Sequence, residues 1–276
     1  MKQLFTWFLI LSTALILTGC DGEAKGETNQ TITIGATAGP YSDQLKEGIA
    51  PILKEKGIKL NIIEFHDYIQ PNNALDEGDI DANLYQNRLY LSNFNEHQGT
   101  KLTALFAVPT ATIAMYSKRH QSLDDLEPGM TISLPNDTVN LARSLNMLES
   151  YGWLTVDPNV NPITASEKDV IDNPYHLKLN PLEAAATPRS LEDADFAFVN
   201  GNYAIASGLK LTEAVDVEQT SEDFLIYLTI REGEEDEPFV QALKEAYESE
   251  EFYTYTLEHS QGYVLPPYQQ EQEAKK

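Results

Sequence analysis

The chain has 276 residues, and 19 Lys plus Arg stand against 43 Asp plus Glu for a formal net charge of -24. So large a negative excess repels polyanions, which excludes nucleic acid and anionic lipid head groups as partners. Cys20 is the only cysteine, so an intrachain disulfide and a zinc-finger type of metal site are excluded too.

Residues 1–19 carry Lys2 and then an apolar run from Leu4 to Leu17. That run is roughly 14 residues, short of the about 20 that a membrane-spanning helix needs. It closes on Leu17-Thr18-Gly19-Cys20, which reads as a signal peptide ending in a lipobox. Cys20 is therefore expected to be the lipidated N-terminus of the mature protein, held by its acyl chains on the extracytoplasmic face of the cell membrane. In a cell with an outer membrane this would be the periplasmic side of the inner one. Residues 20–30 are polar and Gly-containing, as in a flexible tether.

About 245 residues remain, enough for one large domain or two lobes. Residues 31–34 alternate like a strand and run into Gly35, Gly39 and Pro40. Leu45, Ile49, Ile52 and Leu53 then recur at helical spacing, with a kink expected at Pro51. After Gly57 a second strand is predicted over 59–65, completing a βαβ unit. A short helix over 72–77 and a strand over 80–84 follow, then a β-rich stretch over 102–116 broken at Val108-Pro109. Beyond the break come a strand at 130–134, a helix at 139–148, a strand at 195–199 and a helix at 203–207. A strand at 224–230 and a helix at 239–247 end the pattern. The alternation predicts an α/β fold in two lobes, with 31–109 plus 222–265 in lobe 1, 110–221 in lobe 2, and 266–276 as a polar tail. Ligands of such sheets bind beyond the carboxyl ends of the strands, so candidate contacts sit just after them.

Three such ends read Glu64-Phe65-His66-Asp67-Tyr68, Asp81-Ala82-Asn83-Leu84-Tyr85-Gln86-Asn87, and Leu134-Pro135-Asn136-Asp137 leading to Asn140 and Arg143. With Asp172-Asn173-Pro174 and Val199-Asn200-Gly201-Asn202-Tyr203-Ala204, they make a sequence that resembles the methionine-binding lipoprotein family of the NlpA/MetQ type. The resemblance implies a periplasmic-binding-protein-like fold (type II) with a ligand cleft between the lobes. It also implies that methionine, another amino acid or a short methionine-containing peptide is passed to an ABC permease and its ATPase subunits. Tyr68, Tyr85 and Tyr90 match the family's aromatic pocket positions, and Arg143 and Asn200 its polar ones.

The chemistry of these residues suits such a ligand. A thioether favours aromatic neighbours, so Tyr68 and Tyr85 are expected to sandwich the ligand side chain. Arg143 can offer two parallel hydrogen bonds to a carboxylate, and Asn200 can complete the polar grip. By itself Tyr90, among Leu89, Leu91 and Phe94, reads equally as helix core, and Arg88 as a solvated cation. Asn72, Asn83, Asn136 and Asp137 read as turn and cap residues. Two positions depart from the family: Asn87 stands where its members commonly carry His, and Ile226 where Asn is frequent, so the ligand's polar end would be held differently.

Other classes fit less well. Catalysis lacks a Gly-x-Ser-x-Gly elbow, and His66-Asp67 has no nucleophile in sequence. A metal receptor would need ligand spacing, which the dispersed His66, His97, His120, His176 and His259 do not show. A structural surface lipoprotein would not need polar residues gathered at strand ends. No catalytic residue, metal ligand or cofactor is expected.

Overall fold

The structure is a computed structural model, and it describes residues 30–275. The signal peptide, Cys20 and most of the tether lie outside the described residues.

Among the described residues twelve strands follow in chain order: β1 (Gln30–Thr37), β2 (Ile58–Phe65), β3 (Ala82–Asn87), β4 (Leu102–Ala107), β5 (Ala114–Tyr116) and β6 (Thr131–Pro135), then β7 (Thr155–Val156), β8 (Val170–Asp172), β9 (Lys178–Leu182), β10 (Phe196–Val199), β11 (Asp216–Val217) and β12 (Ile226–Arg231). One sheet has the order β2-β1-β3-β12-β4, a second β11-β5-β10-β6-β9. The chain thus leaves the first sheet after β4, builds the second, and returns with β12. In the first sheet β1 pairs parallel with β2 and β3, while β12 runs antiparallel between β3 and β4. In the second, β6 pairs parallel with β10 and β9.

Each sheet has its own core. In the first lobe Ile32, Ile34, Leu45, Leu53, Leu228 and Phe252 are buried together; in the second, Ile132, Leu134, Leu145, Leu148, Trp153 and Phe196.

Several elements differ from the sequence expectation. Residues 40–55 are helical throughout, but Gln44–Ile49 is a π-helical segment directly before Ala50–Glu55. A wide turn absorbs the hydrogen bond that Pro51 cannot donate, so Pro51 sits in the first turn of a new segment. The strand expected at 80–84 begins two residues later, because Asp81 is tied into the neighbouring strand: its carboxylate accepts from the Thr33 amide (2.7 Å) and its amide donates to the Thr33 carbonyl (2.8 Å). The expected polar tail contains a helix, Pro267–Glu273, that docks on the body through the fully buried Gln269, whose Nε2 donates to Thr256 Oγ1 at 3.0 Å. Polar composition misled there because Gln269 found a buried partner, Tyr268 packs against the first core and Gln272 Nε2 donates to the Glu248 carbonyl at 2.8 Å. The helix Glu250–His259 has no counterpart among the predicted elements, and Arg88–Gln98 is foreshadowed only by the reading of Tyr90 as helix core.

Candidate functional site

Between the sheets lies a tight cavity of about 20 Å³, little more than the room one ordered water needs. Tyr68, Tyr85, Asn87, Tyr90, Arg143 and Asn200, the six residues singled out from sequence, all line it. Tyr85 and Asn87 come from β3 itself, Tyr68 from the turn after β2, and Tyr90 from the first turn of helix Arg88–Gln98. Arg143 lies on the helix Thr138–Ser150 that follows β6, and Asn200 immediately follows β10. Strand ends of both lobes therefore face one volume.

The tyrosines form a single wall. Tyr68 and Tyr85 ring centroids are 5.6 Å apart at 32°, which leaves no space for a side chain between them. A sandwich would need about twice the 3.5–4.0 Å contact distance, so that expectation is corrected: the two rings pack on each other and present adjoining faces. The reason is a shared anchor, since the Tyr85 and Tyr90 hydroxyls both donate to the Tyr68 carbonyl, at 2.7 and 2.9 Å. Tyr90 is half-buried against this wall, while Leu91 and Phe94 of the same helix are the residues that enter the core. Burial raises the Tyr68 and Tyr85 hydroxyls well above their ordinary value, so both are neutral donors.

Tyr68 also spans the cleft. Its hydroxyl donates to Asn202 Oδ1 at 2.7 Å, its ring lies 5.0 Å from that of Tyr203, and Asn202 Nδ2 donates to Thr37 Oγ1 at 3.1 Å. Within lobe 2 the segment at Ala111 passes so close that Gly201 has no room for a side chain: a Cβ there would lie 2.4 Å from the Ala111 carbonyl oxygen. Gly201→Ala is accordingly expected to destabilise the protein by about 1–3 kcal/mol through overpacking. Urea unfolding of the variant measures this, and an unchanged midpoint would show that the segments move apart freely.

Arg143 is almost fully buried, and its guanidinium is already engaged on one edge. Nε and Nη2 donate to the two carboxylate oxygens of Glu218, Nη2 donates also to Thr112 Oγ1 at 3.1 Å, and the Phe224 ring lies 4.3 Å from Cζ. Glu218 is held in turn by the Thr112 and Thr220 hydroxyls at 3.0 and 2.8 Å. Burial pushes the Glu218 carboxyl up, but the hydrogen bonds and charge of Arg143 outweigh it and the net shift is downward, so Glu218 is ionised. The expected two-pronged grip on a ligand cannot use the Nε/Nη2 edge. Among the described residues Nη1 has no hydrogen-bond partner, and it is the donor left for a ligand.

Asn200 Nδ2 donates to Asn140 Oδ1 at 3.1 Å, and Asn140 Nδ2 reaches the Asp137 carboxylate at 3.0 Å. This chain ends on Asn200 Oδ1, a buried acceptor with no partner among the described residues. Leaving such an atom unmet costs about 1–3 kcal/mol, so a ligand donor there is favoured. Asn87 spends its Oδ1 on the helix start, accepting from the Tyr90 amide at 2.8 Å, and has only its Nδ2 left. Ile226 lines the same cavity with an apolar side chain. Asp137 caps the helix bearing Arg143, while Asn72 and Asn83 join Gln86 in a buried amide network. Arg88 is exposed, with its Cζ 4.1 Å from the Tyr227 ring centroid.

Tyr41, Asn202, Phe224 and Glu218 escaped the sequence reading of the site. Tyr41 follows β1, so the strand-end rule could have found it. Glu218 carries no such signal and is one acidic residue among 43. Among the described residues no group of three His, Cys, Asp or Glu side chains is placed to hold a metal ion.

Two α/β lobes, joined by chain crossings and closed over a polar cavity with one aromatic wall, are the architecture of a solute-binding receptor. Solved structures with the same fold include a nutrient-binding protein from Burkholderia cenocepacia bound to methionine, at a TM-score of 0.81 and 33% identity, covering 86% of this chain and 99% of that one. A putative methionine-binding lipoprotein from Bacillus subtilis superposes at a TM-score of 0.80 with 34% identity, covering 86% of this chain and 98% of the other. The D-methionine-binding lipoprotein MetQ of Escherichia coli is 36% identical over 244 residues, 87% of this chain and 89% of its own length. The NlpA lipoprotein family model matches residues 32–268, and the chain belongs to that family.

Proposed function

We propose that this protein is the substrate-binding lipoprotein of an ABC importer, capturing methionine or a closely related amino-acid-like ligand between its lobes and delivering it to the permease. The observation that carries the reading is the pairing, in one cavity, of a tyrosine wall with an Arg143 donor and the unpartnered acceptor of Asn200. The first suits a thioether and the other two suit a carboxylate and an ammonium. Relatives named for methionine binding, and one neighbour with methionine bound, support the same assignment. The lobes on this reading are residues 31–109 plus 222–265 and 110–221, and the site's work is binding, with no catalytic residue.

Calorimetric titration of ligand-stripped protein with L- and D-methionine tests it. Saturable binding of at least one enantiomer, with a raised melting temperature, is expected, because a ligand that binds only the folded state stabilises it. Absence of both effects while another amino acid binds would reassign the ligand.

Cys20 is proposed as the lipid attachment point on the strength of the Leu17 to Cys20 motif and the family. Cys20→Ala is expected to move the protein out of the membrane fraction, or leave it with its signal peptide uncleaved. Unchanged fractionation and an unchanged mass would contradict lipidation.

A further inference from the structure

Among the described residues Arg143 is the only charged side chain lining the interlobe cavity, yet that cavity does not carry a free positive charge. The guanidinium spans a wall. On the far side is a separate groove lined by Arg143, Glu218, Phe224, Tyr151 and Asp216, and it is from there that Glu218 takes the Nε and Nη2 edge. The pair is sealed, with Arg143 5% and Glu218 11% exposed, and the Thr112 and Thr220 hydroxyls fix the carboxylate. Glu218 does not itself line the ligand cavity. A second cavity shares Tyr68 and Tyr90 with the first, and its charged lining is acidic: Asp67, Asp137 and Glu183.

We propose that Glu218 is a positioning and charge-setting residue for ligand selection: by neutralising Arg143 from behind, it makes the closed site accept a zwitterion and reject the corresponding monoanion. The inference rests on the amino-acid reading above and specifies the ligand's charge state. An incoming zwitterion adds no net charge to a site that has none. A carboxylic acid without an ammonium would bury one uncompensated negative charge next to a neighbouring cavity whose carboxylates add no positive charge, in surroundings where water screens little. Glu218 also decides which guanidinium atoms are free, leaving Nη1 to face the ligand.

Glu218→Gln keeps the side-chain shape and removes the charge. The full chain and this variant are titrated with methionine and with its 2-hydroxy acid analogue, which retains the carboxylate and thioether but has no ammonium. The parent is expected to prefer methionine by at least about a hundredfold, and the variant to narrow that preference by at least about tenfold, one decade being about 1.4 kcal/mol. A purely structural role would weaken both ligands together and leave their ratio within twofold of the parent's, which would overturn the proposal.

If the parent binds neither compound, the methionine reading falls and the charge assignment is decided without it. Melting temperatures are then compared in sodium acetate and in sodium chloride at equal ionic strength. The variant's uncompensated Arg143 should draw acetate and gain stability over chloride, while the parent shows no difference. Equal responses of the two proteins would overturn the role of Glu218.

Discussion

Arg143→Ala should abolish measurable binding of any free amino acid and also lower stability, the largest combined effect expected of any single substitution here. Removing one partner of a buried charge pair costs about 3–5 kcal/mol, mostly because the other charge is left uncompensated. In this protein two charges lose their partner: the ligand carboxylate in the complex, and Glu218 in the free protein. The binding loss corresponds to roughly two to four decades in Kd. Arg143→Lys should recover only part of it, because an ammonium cannot occupy Glu218 along two parallel hydrogen bonds and still offer a donor to the cavity.

The stability part has a defined pH signature. Glu218 titrates below the ordinary glutamate value of 4.5, so its contribution is fully present above that value and is lost as pH falls through the lower folded one. In Arg143→Ala the largest lowering causes are gone, and burial, which raises the group, is opposed only by the Thr112 and Thr220 hydrogen bonds. The gap between parent and variant melting temperatures should therefore be widest near neutral pH and should shrink below about pH 4. A gap independent of pH would mean that Arg143 stabilises through packing on Phe224, 4.3 Å from its ring, and not through charge. Arg88→Ala is the control, an exposed cation expected to leave binding unchanged.

Tyr68→Ala is expected to weaken ligand binding by about 2–4 kcal/mol, roughly 30- to 1,000-fold. Part of this is apolar wall, since burying a ligand side chain of this size is worth about 1.5–3 kcal/mol and Tyr68 supplies the centre of the ring cluster. The remainder is closure, because the Tyr68 hydroxyl donates across the cleft to Asn202. Tyr68→Phe separates the two: it keeps the ring and removes the donor, so it should lose about 0.5–1.5 kcal/mol. Equal losses for Ala and Phe would place the whole effect in the hydrogen bond; no loss for either would remove Tyr68 from the site.

Much of this fold is written in local pattern. Alternation over 31–34 and 59–65, helical spacing from Leu45 to Leu53, and the helix after Pro135 each reflect one face buried in a core, and the buried residues are the apolar ones that made the pattern. The rule that ligands meet sheets beyond strand ends then placed Tyr68, Tyr85, Arg143 and Asn200 around one cavity. The helix Arg88–Gln98 was harder to see because it starts directly from β3, with Asn87 serving both as the last strand residue and as the cap.

What the chain determined by itself was therefore the two-lobed α/β class and the strand ends that border the interlobe cavity, because these depend on periodicity and on contacts close in sequence. Tertiary structure alone decided that Tyr68 and Tyr85 touch, so that a sandwich became a wall, and that Glu218 reaches Arg143 across 75 positions of sequence. Such facts depend on how lobes close and on which distant side chains share a buried volume. An acidic residue on a connecting segment reads the same in sequence whether it meets water or a guanidinium; only burial, which removes the water, turns it into the group that sets the charge of the site.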